Sequence, residues 1–312
     1  GYTAVFGAQS EQSQMRSDGS PSHAQARQNS AYLQLQGEVT RGLTLTAGGR
    51  YDDHDTFGSH GTGQAAIAWE LPSSTVLRAS WGQGFKAPSL YQLFSEYANP
   101  ALQPETSNGW DAGIEQHLLE GRAMVSVTGF ARTSRSLISY VGCGFPADPN
   151  SLCAEPGHST FGYYDNITRT DARGVELQAA WQLTDTFDLT ANYTYTHAED
   201  RSPESTDFGL PLLRRPRGMA NATATWRAPF GLTSSLALRY VSASDDMDFD
   251  QFPAARVHLA AYTLVDLRLA WSVTDAVKLA ARIENLFDEN YQTVLNYGAT
   301  GRAGYVSVRY DF

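Results

Sequence analysis

The sequence predicts an all-β protein: a transmembrane antiparallel β-barrel with about fourteen strands present. Three observations lead there. The last eight residues alternate strictly, with Tyr305, Ser307, Arg309 and Asp311 opposing Val306, Val308, Tyr310 and Phe312. Successive side chains of a strand point to opposite faces, so this strand has one polar and one apolar face. The preceding segment, Ala276–Phe287, repeats the pattern, setting Val277, Leu279, Ala281 and Ile283 against Lys278, Ala280, Arg282 and Glu284. Second, tight turns alternate with long polar loops along the chain, the arrangement of membrane barrels with short turns on one side and long loops on the other. Third, mean hydropathy is -0.36 and no window approaches the roughly 18 consecutive apolar residues of a membrane-spanning helix. A barrel needs none, because only alternate residues meet lipid.

Taken in order, Tyr2–Gln14 is the first strand, followed by a polar loop over Met15–Arg27. Asn29–Thr40 and Leu43–His54 form a hairpin across Arg41-Gly42. A Gly-rich loop, Phe57–Gly63, leads to Gln64–Glu70, the turn LPSS and Thr75–Gly82, where Leu77, Ala79 and Trp81 oppose Val76, Arg78 and Ser80. A long connection over Gln83–Pro104 precedes Glu105–Leu118 and Arg122–Tyr140, which turn at Glu120-Gly121. A cysteine-containing loop covers Val141–Ser159. Thr160–Leu183, with a break expected near Asp171, turns at Thr184-Asp185 into Thr186–Ala198, whose Phe187, Leu189, Ala191, Tyr193 and Tyr195 form the apolar face. After the loop Glu199–Leu213 come Arg214–Arg227 and Gly231–Ser244. An acidic loop, Asp245–His258, precedes Leu259–Val273, and the turn Thr274-Asp275 introduces the closing pair.

Composition narrows the classes. The 16 Tyr, 14 Phe and 6 Trp suit aromatic girdles at two membrane interfaces and would equally suit a soluble carbohydrate-binding β protein. A net charge of -10 argues against nucleic acid as a partner. The two cysteines, Cys143 and Cys153, have the spacing of a loop-closing disulfide in an oxidising compartment; two free thiols are the alternative. The acidic run Asp245, Asp246, Asp248 and Asp250 has spacing that hard cations favour but lacks the Gly and distal Glu of an EF-hand, so it reads as a solvated loop. Scattered histidines without an HxxxH spacing predict no zinc site, and no nucleophile elbow or P-loop is present. No metal, cofactor or catalytic residue is expected. No signal peptide opens the chain, which reads as a mature part or a fragment.

At Gly82–Glu115 the sequence resembles the TonB-dependent outer-membrane receptors. The carrying runs are Gly84-Phe85-Lys86-Ala87-Pro88, Asn99-Pro100-Ala101-Leu102-Gln103-Pro104-Glu105 and Trp110-Asp111-Ala112-Gly113. Further along come Tyr164-Asp165-Asn166, Arg173-Gly174-Val175-Glu176, Asn285-Leu286-Phe287-Asp288 and the terminal Phe312. Within that family the runs Pro211-Leu212-Leu213-Arg214-Arg215 and Tyr291-Gln292-Thr293-Val294 are most similar to the cobalamin transporter group, with siderophore receptors second. The resemblance implies that residues 1–312 form one barrel domain, the C-terminal portion of a twenty-two-stranded receptor barrel, with the globular plug, the energy-coupling box and the first strands absent. It implies an outer-membrane protein and no enzyme: active import of a bulky scarce nutrient, cobalamin or a ferric siderophore. The partners implied are outer-membrane lipid, the TonB complex acting through the missing plug, and the barrel-assembly machinery, which would recognise Phe312. A passive porin-like barrel is the alternative from another class.

Two residue sets follow as candidates. A charge facing lipid at mid-bilayer costs about 2–4 kcal/mol, so charges of opposite parity to the aliphatic set belong inside. These are Arg50, Arg78, Glu115, Glu176, Arg239, Asp266, Arg268, Arg282, Glu284 and Arg309, either lining a substrate path or pairing with one another around a wet wall. The loop aromatics Tyr97, Tyr163, Tyr164, Phe249, Phe252 and Tyr297 are candidates to bind a large flat ligand, since aromatic faces bury much area at low entropic cost.

Overall fold

Fourteen strands pair in sequence order into one continuous antiparallel sheet, and the backbone register sorts every side chain to one of two faces. The computed structural model describes residues 1–16, 23–143, 149, 151–156, 158–203, 205, 207–251 and 254–312, with the side chains of 167 and 168 outside that description. The strands are β1 (Tyr2–Arg16), β2 (His23–Thr40), β3 (Leu43–His54), β4 (Gly58–Leu71), β5 (Thr75–Lys86), β6 (Glu105–Leu118), β7 (Ala123–Gly142), β8 (Gly162–Thr184), β9 (Phe187–Asp200), β10 (Gly218–Arg227) and β11 (Leu232–Val241). A separate hairpin, β12 (Ser244–Asp248) with β13 (Ala255–Leu259), interrupts the series before β14 (Tyr262–Ser272), β15 (Val277–Glu284) and β16 (Ala303–Tyr310). A short helix, α1 (Leu90–Phe94), lies between β5 and β6, its N-terminus closed by a capping box between Ser89 and Gln92. Among the described residues β1 pairs only with β2 and β16 only with β15, so the sheet is a curved wall whose two edges do not meet.

One face carries the aliphatic and aromatic residues. Leu77, Ala79 and Trp81 of β5 stand opposite Trp69, Ile67 and Ala65 of β4 and opposite Ile114, Ala112 and Trp110 of β6. The same parity continues to Leu267, Leu269 and Trp271 of β14 and to Val306, Val308 and Tyr310 of β16. These side chains are exposed: Val306 is 82% and Val308 67% accessible, whereas among the described residues only seven hydrophobic side chains, such as Leu93 and Leu102, are buried. A soluble sandwich would put this face into a packed second layer. Here none of the described residues covers it, which is the signature of a wall whose apolar face is solvated by lipid.

Outer-face aromatics gather in two bands. Trp69, Trp181, Trp226, Trp271 and Tyr310 sit near the short-turn edge, and Tyr51, Trp81, Trp110 and Tyr240 lie toward the other edge. Tyr51 pairs with Gly61, eight residues from Trp69 on β4, and Tyr240 is eight residues from Leu232, the partner of Trp271. At roughly 3.3 Å per residue that is on the order of 26 Å along the strand before tilt, comparable to an apolar band roughly 25 Å tall between girdles. No helix of the described residues is long and apolar enough to cross a membrane.

Several boundaries depart from expectation. The Gly-rich segment Phe57–Gly63 is not a loop: β4 begins at Gly58, because the ladder with β3 runs to His54↔Gly58 and glycine backbones donate and accept like any other. The strand expected from Arg214 begins at Gly218; Arg214 takes a left-handed φ of 56°, which departs from regular strand geometry. The break expected near Asp171 is absent: β7 and β8 both run through, and the irregularity is a slip of their register between Ser134 and Ile138, where Ser136 has φ 55°. The acidic segment Asp245–His258 is the β12–β13 hairpin rather than a solvated loop.

Candidate ligand-binding site

The connections divide by edge. At one edge the links between strands are Arg41-Gly42, 72–74, 119–122, 185–186, 228–231 and 273–276, all tight turns. At the other edge the described connections are 87–104, 143–161, 201–217, 242–261 and 285–302, with 55–57 short. The long described connections therefore gather at one rim.

Register places all ten predicted charges on the sheet face opposite the aliphatic band. Arg50 stands across from Tyr32 and Thr62, Arg78 from Ala68 and Gly113, Glu176 from Thr128 and Thr194, and Arg268 from Ser235 and Arg282. Asp52 of the same face is 3% exposed and collects Arg50 Nε (2.9 Å), Ser30 Oγ (2.8 Å) and Gln28 Nε2 (2.7 Å). Arg78 pairs with Glu115, which also meets His117 Nε2 at 2.9 Å. Arg282 binds Glu284 (3.2 Å) and lies 4.1 Å over the Tyr305 ring; Arg309 binds Asp311 (2.7 Å). Asp266 accepts the Asn285 N–H at 2.9 Å. Glu176, Arg239 and Arg268 make no ion pair among the described residues. Seven of the ten thus have a polar partner on this wall, four of them within the set, and three make no ion pair among the described residues.

The aromatic candidates separate. Tyr163 and Tyr164 are not in a loop: they belong to β8, paired with Val141 and Tyr140, because the β7–β8 ladder extends beyond its bulge to Gly142↔Gly162. Tyr97 is in the 87–104 connection, and Tyr164 joins it through a Tyr164 N–H to Tyr97 C=O bond of 3.0 Å. Tyr91, Tyr97, Tyr140 and Tyr164 form an edge-to-face cluster with ring centroids 5.6–6.2 Å apart. Phe249 and Tyr297 are 74% and 71% exposed at the rim. Phe252 lies outside the described residues. Cys143 and Cys153 are joined by a disulfide with Cα atoms 5.7 Å apart, closing part of the 143–161 connection.

The recurring sequence runs prove to be staples between loops. Asn99, 6% exposed, caps Ala101 N through Oδ1 (2.9 Å) and reaches Asp165 Oδ1 with Nδ2 (3.4 Å). Asn166 accepts Gln103 N (2.6 Å) and donates to Gln103 O (2.8 Å) and Ser136 O (2.7 Å), so NPALQPE and YDN, some sixty residues apart, lock together. Asn285, at φ 50°, uses a conformation that asparagine tolerates, accepts Glu289 N (2.8 Å) and donates to Glu289 O (2.9 Å). Gly174 is required by contact: a Cβ there would strike the Tyr195 carbonyl and the Phe130 ring.

The residue that sequence reasoning missed is Asp246. It is fully buried and joins three connections: its Oδ1 receives Arg214 Nε (2.7 Å) and Met247 N (2.8 Å), and its Oδ2 receives Leu295 N (2.8 Å). Burial pushes its carboxyl pKa up, but the Leu295 N–H, Arg214 and the Met247 N–H outweigh that and hold it below the usual range. Asp245 is likewise held low, chiefly by His258, against burial and with help from Arg256. Arg256 extends the brace to Asp207 (3.0 Å) and the Pro211 carbonyl (3.0 Å). Asp248 accepts Gln251 Nε2 and Asp250 accepts Asn296 Nδ2, so every carboxylate of the acidic run serves a donor of this chain. The four Asp were legible as a cluster; their donors, from 32 residues upstream to 49 downstream, were not.

The family described as TonB dependent receptor-like, beta-barrel, matches residues 2–286. Among solved structures, a variant of the ferric enterobactin receptor of Pseudomonas aeruginosa in complex with enterobactin is similar over 100% of this chain and 52% of its own, with a TM-score of 0.82 and 19% identity. The ferripyoverdine receptor of the Pseudomonas aeruginosa outer membrane is similar over 93% of this chain and 39% of its own (TM-score 0.73, 20% identity). The siderophore receptor PirA from Acinetobacter baumannii is similar over 95% and 47% (TM-score 0.74, 21% identity). The chain spans about half the length of these proteins or less, and identities near 20% establish the fold alone. The narrower likeness to the cobalamin group finds no support among them. The runs that suggested it have structural duties: Arg214 ties to Asp246, and Tyr291 stacks on Tyr262 at 4.4 Å. The chain belongs to the TonB-dependent receptor β-barrel family, a family of outer-membrane barrels.

Proposed function

We propose that this chain is the barrel portion of a TonB-dependent receptor that imports a ferric siderophore across the outer membrane, with residues 1–312 forming a single domain. The observation that supports it most is the pairing of an uncovered apolar face with a charged opposite face and a one-sided rim of cross-braced loops. The similar solved structures named above are siderophore receptors, which favours a siderophore over cobalamin as cargo. In this reading the charged face encloses the lumen and contacts a plug, and the rim meets the cargo from outside. The TonB complex supplies the energy through the plug, and Phe312 on the outer face is presented to the barrel-assembly machinery. Transport requires no covalent step, so the reading includes no enzymatic activity.

Deleting the gene in its native host tests this. Radio-iron uptake from ferric siderophores should fall, with the remaining uptake no longer dependent on TonB. Loss of cobalamin uptake with iron uptake intact would overturn the cargo assignment. A TonB-independent fall in general solute permeability would favour a passive barrel.

A further inference from the structure

A cavity of about 410 Å³ opens on the charged face at the loop rim, within the range typical of small-molecule sites. Its floor is the loop-edge end of β10, β11 and β14, contributing Asn221, Arg239 and Tyr262; its roof is Arg214, Ser244 and Gln292 from three different connections. In a chain of net charge -10, this cavity has two arginines and no Asp or Glu among its described lining residues. Arg239 makes no ion pair or hydrogen bond to another described residue. Arg214 spends Nε on Asp246 and leaves the outer nitrogens of its guanidinium available. Tyr262, stacked on Tyr291 with ring centroids 4.4 Å apart, supplies an apolar wall beside them.

Arg239, which has no carboxylate partner among the described residues, and the outer nitrogens of Arg214 beside neutral hydrogen-bonding groups favour oxygen anions, because guanidinium donors bond charged acceptors about twice as strongly as neutral ones. We propose that this cavity is an anion-selective subsite, and that the cargo is a ferric chelate of net negative charge whose acceptor oxygens are held by Arg239 and Arg214. Asp246 is a positioning residue: buried, and bonded to both Arg214 and the Leu295 N–H, it fixes the roof arginine over the cavity. The cavity faces away from the apolar band, so lipid headgroups of the surrounding bilayer do not reach it. The inference rests on the siderophore reading above and specifies the charge of its ligand.

The test is equilibrium binding to the full-length receptor in native outer-membrane vesicles. The probes are ferric enterobactin and ferric citrate as anionic chelates, ferrioxamine B as a cationic one and cyanocobalamin as a neutral corrinoid. An anionic chelate should bind best, and Arg239→Gln should weaken it by about tenfold or more while Arg239→Lys restores most of the loss. Heat-modifiable gel mobility confirms that each variant is folded. Asp246→Asn should weaken the same chelate less and leave other probes unchanged. If a chelate binds but Arg239→Gln and Arg214→Gln leave it unaffected, the subsite is wrong and the siderophore reading stands. Preferred binding of ferrioxamine B also overturns the subsite. If only cyanocobalamin binds, or no probe does, both readings fall.

Discussion

The sheet wall and the loop rim of this molecule are held together by different physics. The wall is a meander in which each strand of the large sheet pairs with the next in order, through short turns at one edge and longer connections at the other, and its two faces differ by parity alone. The rim is assembled from connections far apart in sequence, joined by single side chains: Asp246 to Arg214 and Leu295, and Asn166 to Gln103 and Ser136. In the wall, many equivalent backbone bonds share the load, and what matters is which face a residue occupies. At the rim, the identity of one side chain decides whether three segments meet.

The largest effect should come from violating parity. Leu236 and Ala237 are neighbours in mid-β11 on opposite faces, Leu236 across from Ala224 and Leu267, Ala237 across from Thr223 and Asp266. Leu236→Arg should destabilise the protein in a bilayer by about 2–4 kcal/mol, whereas Ala237→Arg, facing Asp266, should be close to neutral. Denaturant unfolding in lipid vesicles reads the difference; equal costs would show that the aliphatic face does not meet hydrocarbon.

At the rim, Asp246→Ala leaves the Leu295 and Met247 N–H groups without their acceptor and frees Arg214, a cost of about 1–3 kcal/mol expressed locally. Proteolysis should accelerate in 201–217 and 285–302 while strand amides keep their hydrogen-exchange protection. Global loss of protection would mean the rim and wall fold as one unit. Asn285→Ala should be milder, about 1–2 kcal/mol for lost side-chain bonds and an unfavourable left-handed backbone, with Asn285→Gly recovering the backbone part.

Acid should separate the two regions in the same direction. The carboxyls of Asp245 and Asp246 are held below the usual range in the folded state. Such groups contribute stability that is complete above the unfolded value of about 3.9 and is lost as pH falls through the depressed folded value. Loop exchange rates should therefore rise below about pH 4 while the strand ladders hold; loops that loosen instead as pH rises through neutrality would contradict this assignment. The smallest effect is expected at Lys278–Asp311, an exposed inner-face pair 3.6 Å apart: Lys278→Ala should change unfolding by no more than about 0.5 kcal/mol.

The sequence by itself determined the wall. Alternation in segments such as Phe187–Tyr195 and Tyr305–Phe312, with tight turns between them, was enough to count the strands of the sheet and assign ten charges to one face, because strand parity is local and every neighbour pairs with the next. It misplaced the starts of β4 and β10, where glycines pair fully in one case and a left-handed Arg214 precedes the strand in the other. The motifs were visible as strings, but their role as staples was not. Only the tertiary structure decided that the acidic run is a hairpin, that Asp246 is buried among three connections, and that Arg239 and Arg214 share a cavity without a carboxylate. The physical reason is range: a strand's face follows from the residue two positions away, while a loop's partner is a donor tens of residues distant that sequence spacing does not encode.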